Sequence, residues 1–251
     1  MYSARLHTRL RTRPYVSALA VLLTVGVLVV LAATTGPWRA ESESVGGPVT
    51  PIRQSAPDAP EALWVGDSYT IGVGAEGPAR GYPCLVSDAL GWTCQLDAQS
   101  GTGFVNAGHR TNEAYVPLGE RLGRTAEAFG PDLVVVDAGR NDRDAAIGPF
   151  REAVASYLDR ARGAFPDARL VVVLPFLLGD TGADYGRIGG VLRNAAASVD
   201  ADVVDTSTPA WNRMVSRLPT VDAIHPTASS HAAIARRLIG EFERMHVLDQ
   251  R

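Results

Sequence analysis

Five short apolar runs, each parted from the next by a stretch of helical character, constrain this chain more than any other feature. They are ALWV (62–65), TCQLDA (93–98), DLVVVDAG (132–139), RLVVVLPF (169–176) and ADVVDTS (201–207). Runs rich in β-branched residues suit parallel strands buried on both faces. Helical candidates lie between them near 83–90, 113–129, 149–164 and 184–199, and a last one spans 227–246. Alternating β and α elements imply a three-layer α/β/α domain around one parallel sheet. Right-handed crossovers then gather the C-terminal strand ends along one edge, where ligands bind in such folds. One domain is expected over 61–251, with no internal repeat.

The first 60 residues read differently. Residues 1–15 carry Arg5, Arg9, Arg11 and Arg13 and no acid, and residues 16–35 (VSALAVLLTVGVLVVLAATT) carry no charge. A helix of twenty residues spans about 30 Å, the thickness of a bilayer core. The basic flank places the N-terminus in the cytoplasm and the remainder outside. The expectation is a signal-anchor that passes the cell membrane once. The alternative is a cleaved signal peptide and a secreted product. The arginine cluster argues against a buried core helix. Residues 36–60 are rich in Pro, Gly and Ser, a flexible linker with too little apolar surface to fold.

Composition removes several chemistries. All 24 basic residues are arginine, so no amine side chain exists for a Schiff base, a Ser–Lys dyad or a P-loop. Two cysteines are too few for an all-Cys zinc site or an iron–sulfur cluster. The net charge is −3, and residues 1–40 hold five arginines without an acid, so the rest is more acidic than the whole. Nucleic acid and anionic lipid are therefore poor partners for the domain itself. Cys84 and Cys94 are expected to close a short loop as a disulfide outside the membrane, with free thiols as the alternative.

The chemistry left over concentrates at strand ends. The first strand runs into Gly66-Asp67-Ser68-Tyr69, where a Ser beside Gly can expose its hydroxyl and Asp67 can cap the turn. After the second strand comes Gln99-Ser100-Gly101-Thr102-Gly103, whose glycine either points a backbone N–H at the same edge or makes a tight turn. After the third stands Gly139-Arg140-Asn141-Asp142, with a side-chain amide at Asn141 that could also cap the next segment. Before the last helix lies Asp222-Ala223-Ile224-His225-Pro226. Three-residue spacing on a turn can set carboxylate beside imidazole, leaving Nε2 free as a base. A helix-entry Asp with a surface His is the plainer reading of that pair alone.

Taken together, these four segments resemble the SGNH hydrolases, or GDSL esterase/lipase family. GDSY (66–69), SGTG through Gly101, GRND (139–142) through Asn141 and DAIHP (222–226) match its four blocks in order, and the resemblance spans 61–246. It implies a flavodoxin-like parallel five-stranded sheet and a serine esterase acting through an acyl-enzyme. Ser68 would be nucleophile, His225 base and Asp222 its orienting acid. The oxyanion would be held by the N–H groups of Ser68 and Gly101 and the Asn141 amide, with no metal or cofactor. Arg140 stands where Gly is frequent in the family, and Tyr69 where Leu is common.

The expected substrate is a small acyl ester, with cell-envelope or other acylated carbohydrate as its class. An acyltransferase with the same triad and a non-catalytic surface-binding module are the alternatives. Gly72, Gly74 and Gly77 also fit GxGxxG, with Asp97 twenty residues beyond the last of them. That outline of a dinucleotide site fails in context, because GDSYTI separates the glycines from the strand, and Pro78 and Pro83 interrupt the segment after them. His109 and His231 have no acid three residues earlier; His109 with Arg110 would line the cleft or sit in a solvated loop. Trp211 to Leu218 would shape a substrate pocket or simply pack. Arg140 and Arg143 would meet an anionic substrate group or form surface ion pairs.

Overall fold

The computed structural model describes residues 58–178 and 185–247. The expected anchor, most of the linker and the extreme C-terminus lie outside the described residues. The chain runs β1 (Glu61–Gly66), α1 (Tyr82–Ala89), β2 (Thr93–Ala98), α2 (Leu118–Ala128), β3 (Leu133–Asp137), α3 (Ile147–Ala164), β4 (Arg169–Val173), α4 (Tyr185–Ser198), β5 (Asp202–Val204), α5 (Pro209–Val215) and α6 (Ala228–Arg244). All five strands are parallel, in the order β2-β1-β3-β4-β5.

The continuous apolar runs are explained by helices on both faces. Alternate residues of one strand point to opposite sides. Ala62, Trp64, Leu133, Val135, Val171 and Val173 pack with residues of α1, α5 and α6, including Tyr82, Val86, Trp211, Ile234, Leu238 and Phe242. Leu63, Val65, Val134, Val136, Leu170 and Val172 pack with Leu122 of α2, Phe150, Tyr157 and Leu158 of α3, and Leu192 of α4. The fold is therefore the expected three-layer α/β/α sandwich. Its strand order reverses at β1, which lies between β2 and β3, and such a switch point opens a crevice at the C-terminal strand ends. Ser68 and Asn141 follow the two strands that flank it.

Boundaries moved where proline or a cap intervened. The helix expected from residue 113 starts at Leu118, since Pro117 takes an extended conformation as its N-cap. The strand expected to 176 ends at Val173, two residues before Pro175, which has no N–H for a ladder. The run expected as a strand over 201–207 pairs only at Asp202–Val204. Helix α5 was not expected. Thr208 caps it by accepting from the Trp211 N–H, and Pro209 occupies its first turn, where a missing donor costs nothing. Cys84 in α1 and Cys94 in β2 are joined as a disulfide with Cα atoms 5.2 Å apart.

Candidate active site

The crevice holds a serine, a histidine and an aspartate in hydrogen-bonded series. Ser68 follows β1 in a tight turn closed by the Ile71 N–H to the Asp67 carbonyl at 3.0 Å and the Val73 N–H to the Ser68 carbonyl at 3.0 Å. His225 Nε2 lies 2.9 Å from Ser68 Oγ, and its Nδ1 lies 2.6 Å from Asp222 Oδ2. A carboxylate only accepts, so Nδ1 carries the proton, and Nε2 is left to receive the Ser68 hydroxyl hydrogen.

The loop that brings Asp222 to His225 is built by the aspartate itself. Asp222 Oδ1 accepts the His225 N–H at 2.8 Å and the Ile224 N–H at 3.2 Å. The Val221 N–H meets the His225 carbonyl at 2.9 Å across the base of the loop. Partial burial pushes the Asp222 carboxyl up, but the donors from His225 and Ile224 outweigh it and hold the group below its ordinary value. Tyr69 locks this loop to the serine turn: its hydroxyl donates to the Ile224 carbonyl at 2.6 Å and accepts the Leu178 N–H at 3.1 Å.

The expected oxyanion donors follow the ends of β1, β2 and β3. Neither the Ser68 N–H nor the Gly101 N–H donates to a group among the described residues. Gly101 has φ +79°, in the left-handed region that glycine enters without a steric penalty, and a Cβ there would stand 2.8 Å from Thr111 Oγ1. Asn141 sits in a 3₁₀ turn after β3, and its amide nitrogen lies 3.0 Å from the Thr102 carbonyl and 3.4 Å from Asp67 Oδ2. Asn141 thereby ties the third strand end to both the first and the second.

Two side chains beside these positions carry roles that the sequence alone did not disclose. Asp142 is buried and accepts from three successive backbone N–H groups, Phe104 at 2.7 Å, Val105 at 3.2 Å and Asn106 at 2.9 Å. Burial raises its pKa, and these three donors pull it back. Arg140, expected to meet an anionic substrate group or to form surface ion pairs, forms buried ion pairs instead. Only 4% of it is exposed, and its guanidinium lies between Asp67 and Asp137 beneath the serine turn. Arg143 is half-exposed, 3.5 Å from Asp144.

The remaining candidates resolve into structure. His231 is fully buried, accepts the Tyr82 N–H at Nδ1 (3.2 Å) and donates from Nε2 to the Val73 carbonyl (3.0 Å). It is stacked on Tyr82, and its ring nitrogens are taken by these two backbone partners rather than by the serine. His109 and Arg110 are exposed in the loop after β2. Trp211 is fully buried against Phe176 and serves packing. The glycines of the GxGxxG run all take positive φ, and Gly74 passes so close to Pro226 that a Cβ would lie 2.2 Å from its carbonyl oxygen. That run is the loop which carries the serine turn up against the histidine loop. It precedes α1 through a 3₁₀ turn and so lacks the strand-to-helix glycine turn of a dinucleotide site.

Residues 64–233 match the GDSL-like lipase/acylhydrolase family. The chain belongs to that family. No curated protein matches it in a sequence search. Among solved structures it is similar to a family two carbohydrate esterase from Clostridium thermocellum in complex with cellohexaose, with a TM-score of 0.55 and 20% identity over 78% of this chain and 68% of the other. It is similar to the psychrotrophic esterase EstA from Pseudoalteromonas sp. at a TM-score of 0.55 and 16% identity, covering 74% of this chain and 97% of that one. It is also similar to the salicylyl-acyltransferase SsfX3 of a tetracycline biosynthetic pathway, at 0.60 and 17% over 79% and 59%. These likenesses establish the shared fold.

Proposed function

We propose that this GDSL-family domain is an exported serine esterase that removes a small acyl group from an ester, held at the membrane by residues 16–35. The observation that carries the reading is the unbroken series Ser68 Oγ, His225 and Asp222, with contacts of 2.9 and 2.6 Å. In the reaction His225 Nε2 takes the Ser68 proton as Oγ attacks the ester carbonyl, and Asp222 stabilises the imidazolium. The tetrahedral oxyanion is met by the Ser68 and Gly101 N–H groups and the Asn141 amide. His225 then returns the proton to the leaving alcohol. Water, activated by the same imidazole, releases the acid from the acyl-enzyme.

An acylated carbohydrate of the cell envelope is the substrate class. Support comes from the carbohydrate esterases that share the fold, and from the Cys84–Cys94 disulfide, which suits an oxidising compartment outside the cytoplasm. A binding module would have no use for an aligned relay. The test is hydrolysis of p-nitrophenyl esters of increasing acyl length and of acetylated sugars, beside Ser68→Ala. Activity that falls with chain length, and that Ser68→Ala abolishes, supports the reading; unchanged hydrolysis by Ser68→Ala overturns it.

A further inference from the structure

The Arg140 guanidinium is the most heavily engaged side chain near the site, yet it touches no reacting group. Its Nε donates to the Phe176 carbonyl at 3.0 Å. One terminal nitrogen lies 3.3 and 3.2 Å from the two Asp67 oxygens and 3.0 Å from the Asp137 carbonyl. The other meets Asp137 Oδ1 and the Tyr82 hydroxyl. The flat face is covered by the rings of Tyr69, with its centroid 4.6 Å away, and Phe176, at 5.0 Å. Only a planar fork of donors can serve acceptors in this many directions at once; an ammonium cannot.

Asp67 spends its remaining hydrogen-bonding capacity on the site itself. Its Oδ1 accepts the Tyr69 N–H at 3.0 Å, which orients the backbone just after Ser68. Its Oδ2 lies 3.4 Å from the Asn141 amide nitrogen. One carboxylate thus bridges the serine turn and the amide of the third strand end, and it is wholly buried. Such a group would rather take up a proton: burial pushes Asp67 up, Arg140 pulls it down and Asp137 pushes it up again. Tyr82 and Thr70 donate to the other Asp137 oxygen, so the second carboxylate is satisfied without drawing the guanidinium away.

We propose that Arg140 is a positioning residue for ester hydrolysis, acting through Asp67 to set the Asn141 amide at the spacing the oxyanion requires. The inference rests on the esterase reading above. A shift of about 1 Å in such donors costs roughly 10²-fold in rate, so loss of the fork is expected to lower kcat about 10- to 100-fold. KM should move little, because the brace does not contact the ground-state substrate.

The test compares the full chain with Arg140→Lys, Arg140→Gln, Asp67→Asn and Ser68→Ala, and with Asn141→Ala alone and combined with Arg140→Lys. Thermal unfolding is followed in parallel, so that only variants folded at the assay temperature are scored. The expected result is a kcat loss with KM within about two-fold in Arg140→Lys. In the double variant, the loss should barely exceed that of Asn141→Ala alone, because the two act on one donor. If neither Arg140 variant folds, Asp67→Asn, which keeps shape and size, must show the same kcat loss. A folded Arg140→Lys with wild-type kcat, or fully multiplicative losses in the double variant, would overturn the proposal. Hydrolysis that survives Ser68→Ala would instead defeat the esterase reading itself.

Discussion

A Cβ placed on Gly103 would lie 2.2 Å from the Asp142 carboxylate, inside the space that its oxygens need to reach the N–H groups of Phe104, Val105 and Asn106. The glycine of the second block and the aspartate of the third are thus one unit. Gly103→Ala should expel the carboxylate and destabilise the fold. Asp142→Ala should do the same by leaving those N–H groups unpaired, at about 1–3 kcal/mol for each that stays buried. Urea unfolding of both variants checks this; a stability within ~0.5 kcal/mol of wild type would refute it.

Asp222 is the exposed member of the relay, with half of its side chain in solvent. Its contribution to stability is accordingly small, whereas its effect on the histidine is direct. Asp222→Asn replaces an acceptor by an amide that can favour the wrong imidazole tautomer. A loss of about 10³–10⁴ in kcat is expected, with the melting temperature nearly unchanged. Parallel kinetics and calorimetry give both numbers.

Asn141→Ala removes one amide donor and also a contact to the Thr102 carbonyl. For an oxyanion donor the expected loss is ~10²–10³ in kcat with a modest change in KM. A KM rise with constant kcat would place Asn141 in ground-state binding instead.

The disulfide joins α1 to β2 across a sequence separation of 10 residues. In the chain-entropy picture it contributes about 2–3 kcal/mol by restricting the unfolded chain. Reduction, or the Cys84→Ser/Cys94→Ser pair, should lower the melting temperature while the kcat of the remaining folded protein stays intact, since neither sulfur lies in the relay.

His231 is held neutral. Desolvation lowers its pKa, nearby His225 lowers it further, and the Val73 carbonyl only partly offsets this. Protonation would put a second donor against the Tyr82 N–H. A histidine with a depressed folded pKa contributes stability that is present above its unfolded value, about 6.5, and lost as pH falls through the folded one. Wild type should therefore lose more stability than His231→Gln between pH 7 and the acid side of the histidine range. Equal slopes in denaturant titrations at a series of pH values would contradict it.

The relay was legible because its parts are local. Asp222 and His225 are three residues apart on one turn, and Ser68 follows a strand that its apolar residues announce. Helix α5 was not expected, although Thr208-Pro209 is a cap followed by a first-turn proline. Of the stretch from Trp211 to Leu218, read as a pocket wall or as packing, Asn212 and Val215 line a cavity while Trp211 packs. The dual role of Arg140 as neighbour of Asn141 and anchor of Asp67 was not legible, since the two contacts lie one and 73 residues away in the chain.

By itself, the sequence determined the alternation of strands and helices, the edge on which their C-terminal ends meet, and the residue types gathered there. Hydrophobic periodicity and turn chemistry act over a few residues, so they can be read along the chain. Only the tertiary structure decided which charges are buried. Arg140 became a brace, His231 a neutral strut and Asp142 a clamp because residues far away in sequence closed over them. A buried charge persists only where partners from several elements arrive together, and no local pattern records that meeting.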